Sequence, residues 1–286
     1  MKKFTFPLAL TTLLLGMISS HSQIVLTSSS YSQNFNSIPT NTAGLYPWTN
    51  NSTLSGWYGS TTGATTQYYR ATNGNGQTPT TTAASPTSLM AFRTSQTDVA
   101  LGSVSNSTYH GVFGAQFVNN TGFTITSITI TYTGEQWAWN TGAANTLDFA
   151  YSEDATSLST GTWTDNNNLD FNALYSSNST NQGLNGNSDT IFVSSAYVAK
   201  SAGQAGGPGA LNYTTISATI TGLSVGAGES LWIRWSDNFS GTGVGQGLGI
   251  DDFSLTAVPE PSTLSIAVVG FCLGAAVILR RRRCSR

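Results

Sequence analysis

Through the middle of this chain, apolar and polar positions alternate with the period of two that a half-buried strand requires. No window there shows a sustained helical period. Tyr31, Gln33 and Phe35 open the pattern, and residues 40–88 read as short strands joined by long Thr-, Gly- and Asn-rich loops. Leu89–Arg93 and Gly111–Val118 alternate cleanly, and Asn119-Asn120-Thr121-Gly122 then predicts a hairpin turn. The strand that follows, Phe123–Trp139, changes parity at Ser127, which predicts one extra residue, a β-bulge, at that point. Leu147, Phe149 and Tyr151 continue the alternation, and Gly161–Thr164 leads to Leu169–Phe171. Asn178–Asn187 and Ser201–Gly209 read as loops. Ile216, Ala218 and Ile220 resume the alternation, followed by Leu231, Ile233 and Trp235 on one face with Trp232 and Arg234 on the other. Gly249–Ala257 closes it. Many short strands without helices or a fixed repeat predict an all-β fold, a single antiparallel β-sandwich with a jelly-roll-like topology. The last strand, Gly-Ile-Asp-Asp-Phe-Ser-Leu-Thr, resembles the closing strand of jelly-roll modules in exported bacterial proteins.

The two ends break the pattern. Met1-Lys2-Lys3 precedes an apolar stretch, Phe4–Ile18, and small residues at Ser20 and Ser22 predict a cleaved signal peptide spanning 1–22. At the other end, Ser262 to Leu279 holds no charged residue. As a helix rising about 1.5 Å per residue it would reach roughly 27 Å, close to a bilayer core. Arg280, Arg281, Arg282 and Arg283 follow as a stop-transfer cluster held in the cytoplasm. The expected organisation is therefore a signal helix, an exported body at 23–257, and a tail at 258–286 with a transmembrane helix at 263–279. The Sec export machinery and the membrane are the partners these ends predict.

Val258-Pro259-Glu260-Pro261-Ser262 stands directly before the apolar helix and the arginines. In that order the three parts resemble a PEP-CTERM sorting signal, the bacterial C-terminal signal processed by exosortases. The resemblance implies that an exosortase cuts near Pro-Glu-Pro and sends the body to the cell surface or medium. Pro259 and Pro261 suit such a role, because proline fixes its own φ and keeps its predecessor extended. A plain single-span anchor is the competing reading.

Charge changes the picture of the body. Most of the Lys and Arg residues lie in the two ends, leaving Arg70, Arg93, Lys200 and Arg234 against twelve carboxylates. That sign excludes a nucleic-acid partner, which needs a basic surface. Thr, Ser, Asn and Gly dominate the polar positions, a composition shared by exported β-proteins and by carbohydrate-facing surfaces. Cys272 and Cys284 both lie in the tail, so the body has no disulfide and depends on packing.

Candidate chemistry in the body is sparse. His110 is its only histidine, and no Gly-x-Ser-x-Gly elbow accompanies it, so no nucleophilic triad is predicted. Calcium is the cofactor to consider, since hard cations take clustered carboxylate and amide oxygens. Asp165 and Asp170 bracket an Asn run, and Asp251-Asp252 follows a glycine-rich loop with Asp237 upstream. Asx-type turn capping is the plainer reading of both. Trp137, Trp139 and Trp232, with Glu135 and Arg234 to anchor hydroxyls, form a candidate sugar-stacking platform, although large aromatics on sandwich strands more often belong to the core. Trp235 shares parity with Leu231 and Ile233, so it should be buried and Trp232 should face outward. The function this predicts is a non-catalytic, exosortase-sorted surface or matrix module with structural, adhesive or glycan-contacting roles. The alternatives are a secreted carbohydrate-active hydrolase on the same scaffold and a permanently anchored surface protein.

Overall fold

The computed structural model describes residues 23–40, 43–75, 77–79, 87–95 and 97–259. The signal peptide lies outside them, as do Glu260, Pro261, Ser262, the apolar tail and Arg280–Arg283. Among the described residues no helix is long and apolar enough to cross a membrane.

Among the described residues there are eighteen strands and one 3₁₀ turn. The chain opens with β1 (Ile24–Leu26), β2 (Ser30–Gln33), β3 (Gly44–Pro47), β4 (Trp57–Thr61) and β5 (Tyr68–Thr72). Then come β6 (Leu89–Ser95), β7 (Asp98–Ser103), β8 (Gly111–Asn119), β9 (Ile125–Trp139) and β10 (Thr146–Ser152). Short pieces follow: β11 (Thr164–Asp165), the 3₁₀ turn Asn167–Leu169, β12 (Phe171–Asn172) and β13 (Gln182–Gly183). A hairpin, β14 (Thr190–Val193) and β15 (Ala196–Ala199), precedes three long strands, β16 (Tyr213–Val225), β17 (Ser230–Asp237) and β18 (Gly247–Pro259).

Two sheets face each other as a β-sandwich. The first runs β8-β17-β10, with β1 and β4 on the outer side of β8 and β11 and β12 on that of β10. The second runs β3-β5-β6-β7-β18-β9, with β2 beside the far end of β18 and β13 and β16 beside β9. Both sheets are mixed, which corrects the all-antiparallel expectation: β1 runs parallel to β8, and β5 to β6. The linkers between these partners are long crossovers, as parallel pairing requires.

The parity change predicted at Ser127 is real. Val258 faces Ser127 but Pro259 faces Ile125, so β9 carries one extra residue between two partners on β18. Past it, Ile128, Ile130 and Tyr132 all point into the core. A second bulge lies on β18, where Asp251 opposes Thr133 and Ser254 opposes Thr131. Asp252 takes φ 48° there, so Ile250 before it and Phe253 after it both face inward.

The turn at 119–122 is not the hairpin the sequence predicts, because β8 and β9 lie in different sheets. The remaining departures are local. The strand expected from Tyr31 to Phe35 is β2 and stops at Gln33, whose side-chain Oε1 accepts a hydrogen bond from Phe35 N at 2.8 Å, and Phe35 turns at φ 54°. The β14–β15 hairpin, turning at Ser194 and Ser195 in positive φ, stands between the two segments expected as loops. β18 also runs two residues past Ala257, so the sheet holds Val258 and Pro259 of the expected sorting motif.

The core between the sheets is aromatic. Trp235 is wholly buried, stacked near Trp57 (6.4 Å between ring centroids) and Phe113 (5.9 Å). Tyr132, Phe149 and Phe253 meet it edge-on at 5.3, 5.2 and 6.0 Å. Removing that indole leaves a cavity with five aromatic walls. Trp235→Ala should lower stability by roughly 3–5 kcal/mol in a denaturant titration; a loss below about 1 kcal/mol would show that the site collapses freely.

Candidate functional site

The residues singled out in the sequence fall on opposite sides of the molecule. β9 belongs to the second sheet and β17 to the first, so Glu135, Trp137 and Trp139 cannot share a surface with Trp232 and Arg234. The five-residue platform does not assemble. Parity along each strand predicts a face correctly, but it does not say which strands share a sheet.

On the outer face of the second sheet, Trp137 is fully buried and stacks on Phe92 at 5.9 Å and 4°. Met90, Ala100 and Val104 complete the cluster. Two segments lie over it. Gly74 packs against the Trp137 carbonyl and Gly186 against its indole, each so closely that a Cβ would clash. Leu184 N donates to Trp137 O at 2.8 Å. Trp139 is half-buried against Leu184, Ile191 and Tyr175.

Beneath this cover lies a pair of carboxyl groups. Glu135 is 3% exposed and Asp251 4%. Gly249 opposes Glu135 and Asp251 opposes Thr133, so the two acids are diagonal neighbours on one face. Trp137 Nε1 donates to Glu135 Oε2 at 2.8 Å. Burial pushes Glu135 up to about 8 against that hydrogen bond, with Asp98 and Asp252 adding to the rise. Burial first, and then Glu135, raises Asp251 to about 9. Two buried carboxyl groups that interact in this way resist ionising together.

The outer face of the first sheet is different. Here the loop after β10 lies over β17. Asp154 ties it, its Oδ1 accepting from Ser152 Oγ at 2.8 Å and Thr162 N at 2.7 Å. Trp232 points outward from the sheet, as parity predicts, but it is only 2% exposed because Ala155 and Leu158 cover it. Tyr58 meets it at 4.6 Å. Beyond Trp232, Arg234 lies 4.0 Å from the ring centre of the half-buried Trp163 and donates through Nη1 to Leu158 O at 2.6 Å. An open groove of about 320 Å³ starts at this arginine. Asp148, Asp165, Asn167, Asp170, Ser236 and Asn238 line it.

The acidic candidates divide in the same way. Asp165 and Asp170 do meet, in the groove. Asn166 caps the 3₁₀ turn through its side chain, as Asx-type capping predicts, whereas Asp170 Oδ1 accepts from Phe149 N of β10 at 2.8 Å, a tertiary contact rather than a turn cap. Burial raises the Asp170 pKa, with Asp148 and Asp165 contributing. Asp237 is far from Asp251 in the fold. It is wholly buried at the end of β17, where Asn145 Nδ2 donates to its Oδ1 at 2.8 Å and burial raises its pKa. Ser103 and Ser105, the hydroxyls near Asp237 and His110, are themselves wholly buried. Among the described residues no group of three or more His, Cys, Asp or Glu side chains is arranged to hold a metal ion.

Asp148, Ser236 and Asn238 in the groove, and Trp163 stacked on Arg234 beside it, are residues that sequence reasoning passed over. Asp148 alternates with Leu147 and Phe149, and that parity alone points it outward.

No protein-family model matches the chain, and neither does any curated protein. Solved structures show distant likenesses. One is TmCBM61 in complex with β-1,4-galactotriose, at 9% identity and a TM-score of 0.27, covering 56% of this chain and 72% of that one. An arabinose-bound α-L-arabinofuranosidase matches at 13% identity and TM-score 0.35, over 79% of this chain but only 26% of its own length. The K3 adhesin domain of Lys-gingipain from Porphyromonas gingivalis matches at 11% identity and TM-score 0.30, over 58% of this chain and 78% of that domain. Likenesses this remote assign neither family nor activity.

The covered acid pair has a consequence for stability. Unfolded, both groups ionise in the ordinary range near 4. Folded, they keep their protons to about 8 and about 9. Through this pair the native state binds more protons than the unfolded state across that window, so the pair's contribution to stability falls as pH rises from about 4 to about 9. Glu135→Gln and Asp251→Asn should each flatten that decline and raise the melting temperature at pH 8. An unchanged pH profile in both variants would show that the pair is ionised in the native protein.

Proposed function

We propose that the body is a non-catalytic glycan-contacting module, on a jelly-roll-like scaffold, that acts outside the cell. One observation carries the reading: Arg234 lines an open groove rich in carboxylate, amide and hydroxyl groups and stacks against the half-exposed ring of Trp163 beside it. Sugars offer both an apolar ring face and a rim of hydroxyls. A half-exposed indole beside several fixed hydrogen-bonding groups suits both. Most of the groove is built on strands, and its arginine is held by both a ring and a carbonyl, so little conformational freedom is lost on binding.

The other acid pair suits catalysis poorly. Glu135 and Asp251 lie under the segments packed on Trp137, where a sugar ring has no approach in this conformation. A hydrolase reading would need that cover to lift.

Delivery rests on the ends of the chain. The Val258–Ser262 motif, the apolar stretch and the terminal arginines support export through Sec, transient anchoring, and processing by an exosortase. Mass spectrometry of the secreted protein should find neither residues 1–22 nor the terminal arginines. Secreted material ending in Arg286 would overturn the processing step.

For the groove, a glycan array probed with wild type, Trp163→Ala and Arg234→Ala is the direct test. Each variant should weaken binding at least about tenfold, or roughly 1.4 kcal/mol, with unchanged melting behaviour. Wild-type protein that binds no glycan, or variants that bind equally well, would remove the proposal.

A further inference from the structure

The edges of the two sheets are guarded unequally. β1 and β4, along one edge of the first sheet, have three and five residues, and β11 and β12 on the other have two each. β3, at one edge of the second sheet, has four residues and ends in Pro47. Short strands, charges and prolines are the usual means of keeping an edge from pairing with another chain.

β16 has none of these over its straight part. It is thirteen residues long, and among the described residues it pairs with β9 alone. Tyr213 to Thr221 reads Tyr-Thr-Thr-Ile-Ser-Ala-Thr-Ile-Thr, without a charge, a proline or a glycine. Its register with β9 runs unbroken from Tyr213 opposite Glu135 to Thr221 opposite Ser127. Ile216 and Ala218 face the core but are only partly buried, although the 3₁₀ turn Asn167–Leu169 packs beside the strand.

Two rows of the outer face beside this edge carry hydroxyl side chains alone. Ser32, Ser254, Thr131 and Ser217 form one row across four strands, and Ser30, Thr256, Thr129 and Thr219 form the next. Within the rows Thr131 pairs with Ser217 at 2.7 Å and Thr129 with Thr219 at 2.8 Å.

We infer that a second copy of this chain pairs with β16, joining the two nine-stranded sheets edge to edge. The edge is complementary to itself. It offers alternating amide donors and carbonyl acceptors, has no charge to repel its copy, and leaves two apolar residues to be covered. A two-fold axis perpendicular to the sheet sets the strands antiparallel and keeps both hydroxyl faces on the same side. This inference does not depend on glycan contact in the groove, which lies on the other sheet.

Disulfide trapping in the full chain, during export from its host, tests it. Cys272→Ser and Cys284→Ser provide a background without thiols, into which Thr215→Cys, Ser217→Cys or Thr219→Cys is introduced singly. Opposed residues of an antiparallel pair come within disulfide reach, and three positions sample the register. At least one should give a dimer on non-reducing gels several-fold above Leu45→Cys, an exposed control on the opposite edge. Thr219→Lys added to Ser217→Cys should abolish that dimer. The inference fails if no β16 position exceeds the control, or if the lysine leaves the trapped dimer unchanged. Sedimentation equilibrium of the unsubstituted full chain in detergent provides an independent check: a dimer is required, and a monomer at all concentrations overturns the inference.

Discussion

Everything in this body is arranged around one indole. Trp235 is where the two sheets meet, supplied by β17 of one and enclosed by Tyr132 and Phe253 of the other. With no disulfide and few charges, contacts of this kind must hold the sandwich together. They also fix the register of β17, because the same alternation that buries Trp235 places Arg234 and Ser236 on the opposite face. The groove thus inherits its geometry from the core. A slip of one residue would send Arg234 inward and Trp235 into solvent.

The two outer faces show how a shared scaffold yields different chemistry. On the second sheet, close-packed glycines let the backbone press onto Trp137, and the acids beside it are cut off from water. On the first, a loop tied by Asp154 covers Trp232 but stops at Trp163, and the polar residues beyond remain wet. Both faces began as outward-pointing strand positions. What separates them is the loop laid over each, and loops carry the least regular sequence signal.

That difference also explains how far the sequence could be read. Strand existence, the inward set Leu231, Ile233 and Trp235, and the bulge near Ser127 were legible because alternation is enforced by burial. The parallel pairs were not, since alternation says nothing of the direction of a neighbour. The candidate platform failed for a related reason: Trp137 and Trp232 each obey a local rule, but strand order assigns them to different sheets. Trp163 was missed because it sits after a Gly-Thr turn, outside any alternating run, and only its contact with Arg234 marks it.

The end of β18 deserves a mechanical reading. Val258 and Pro259 still lie in register with Ser127 and Ile125, so the folded body extends into the motif itself. If the tail is processed a residue or two further on, as proposed, the cut falls close to a strand that is still paired. The protease would have to work flush against the sandwich, or wait for the last rung of the sheet to fray. How quickly the body is freed would then depend on how tightly that final rung holds.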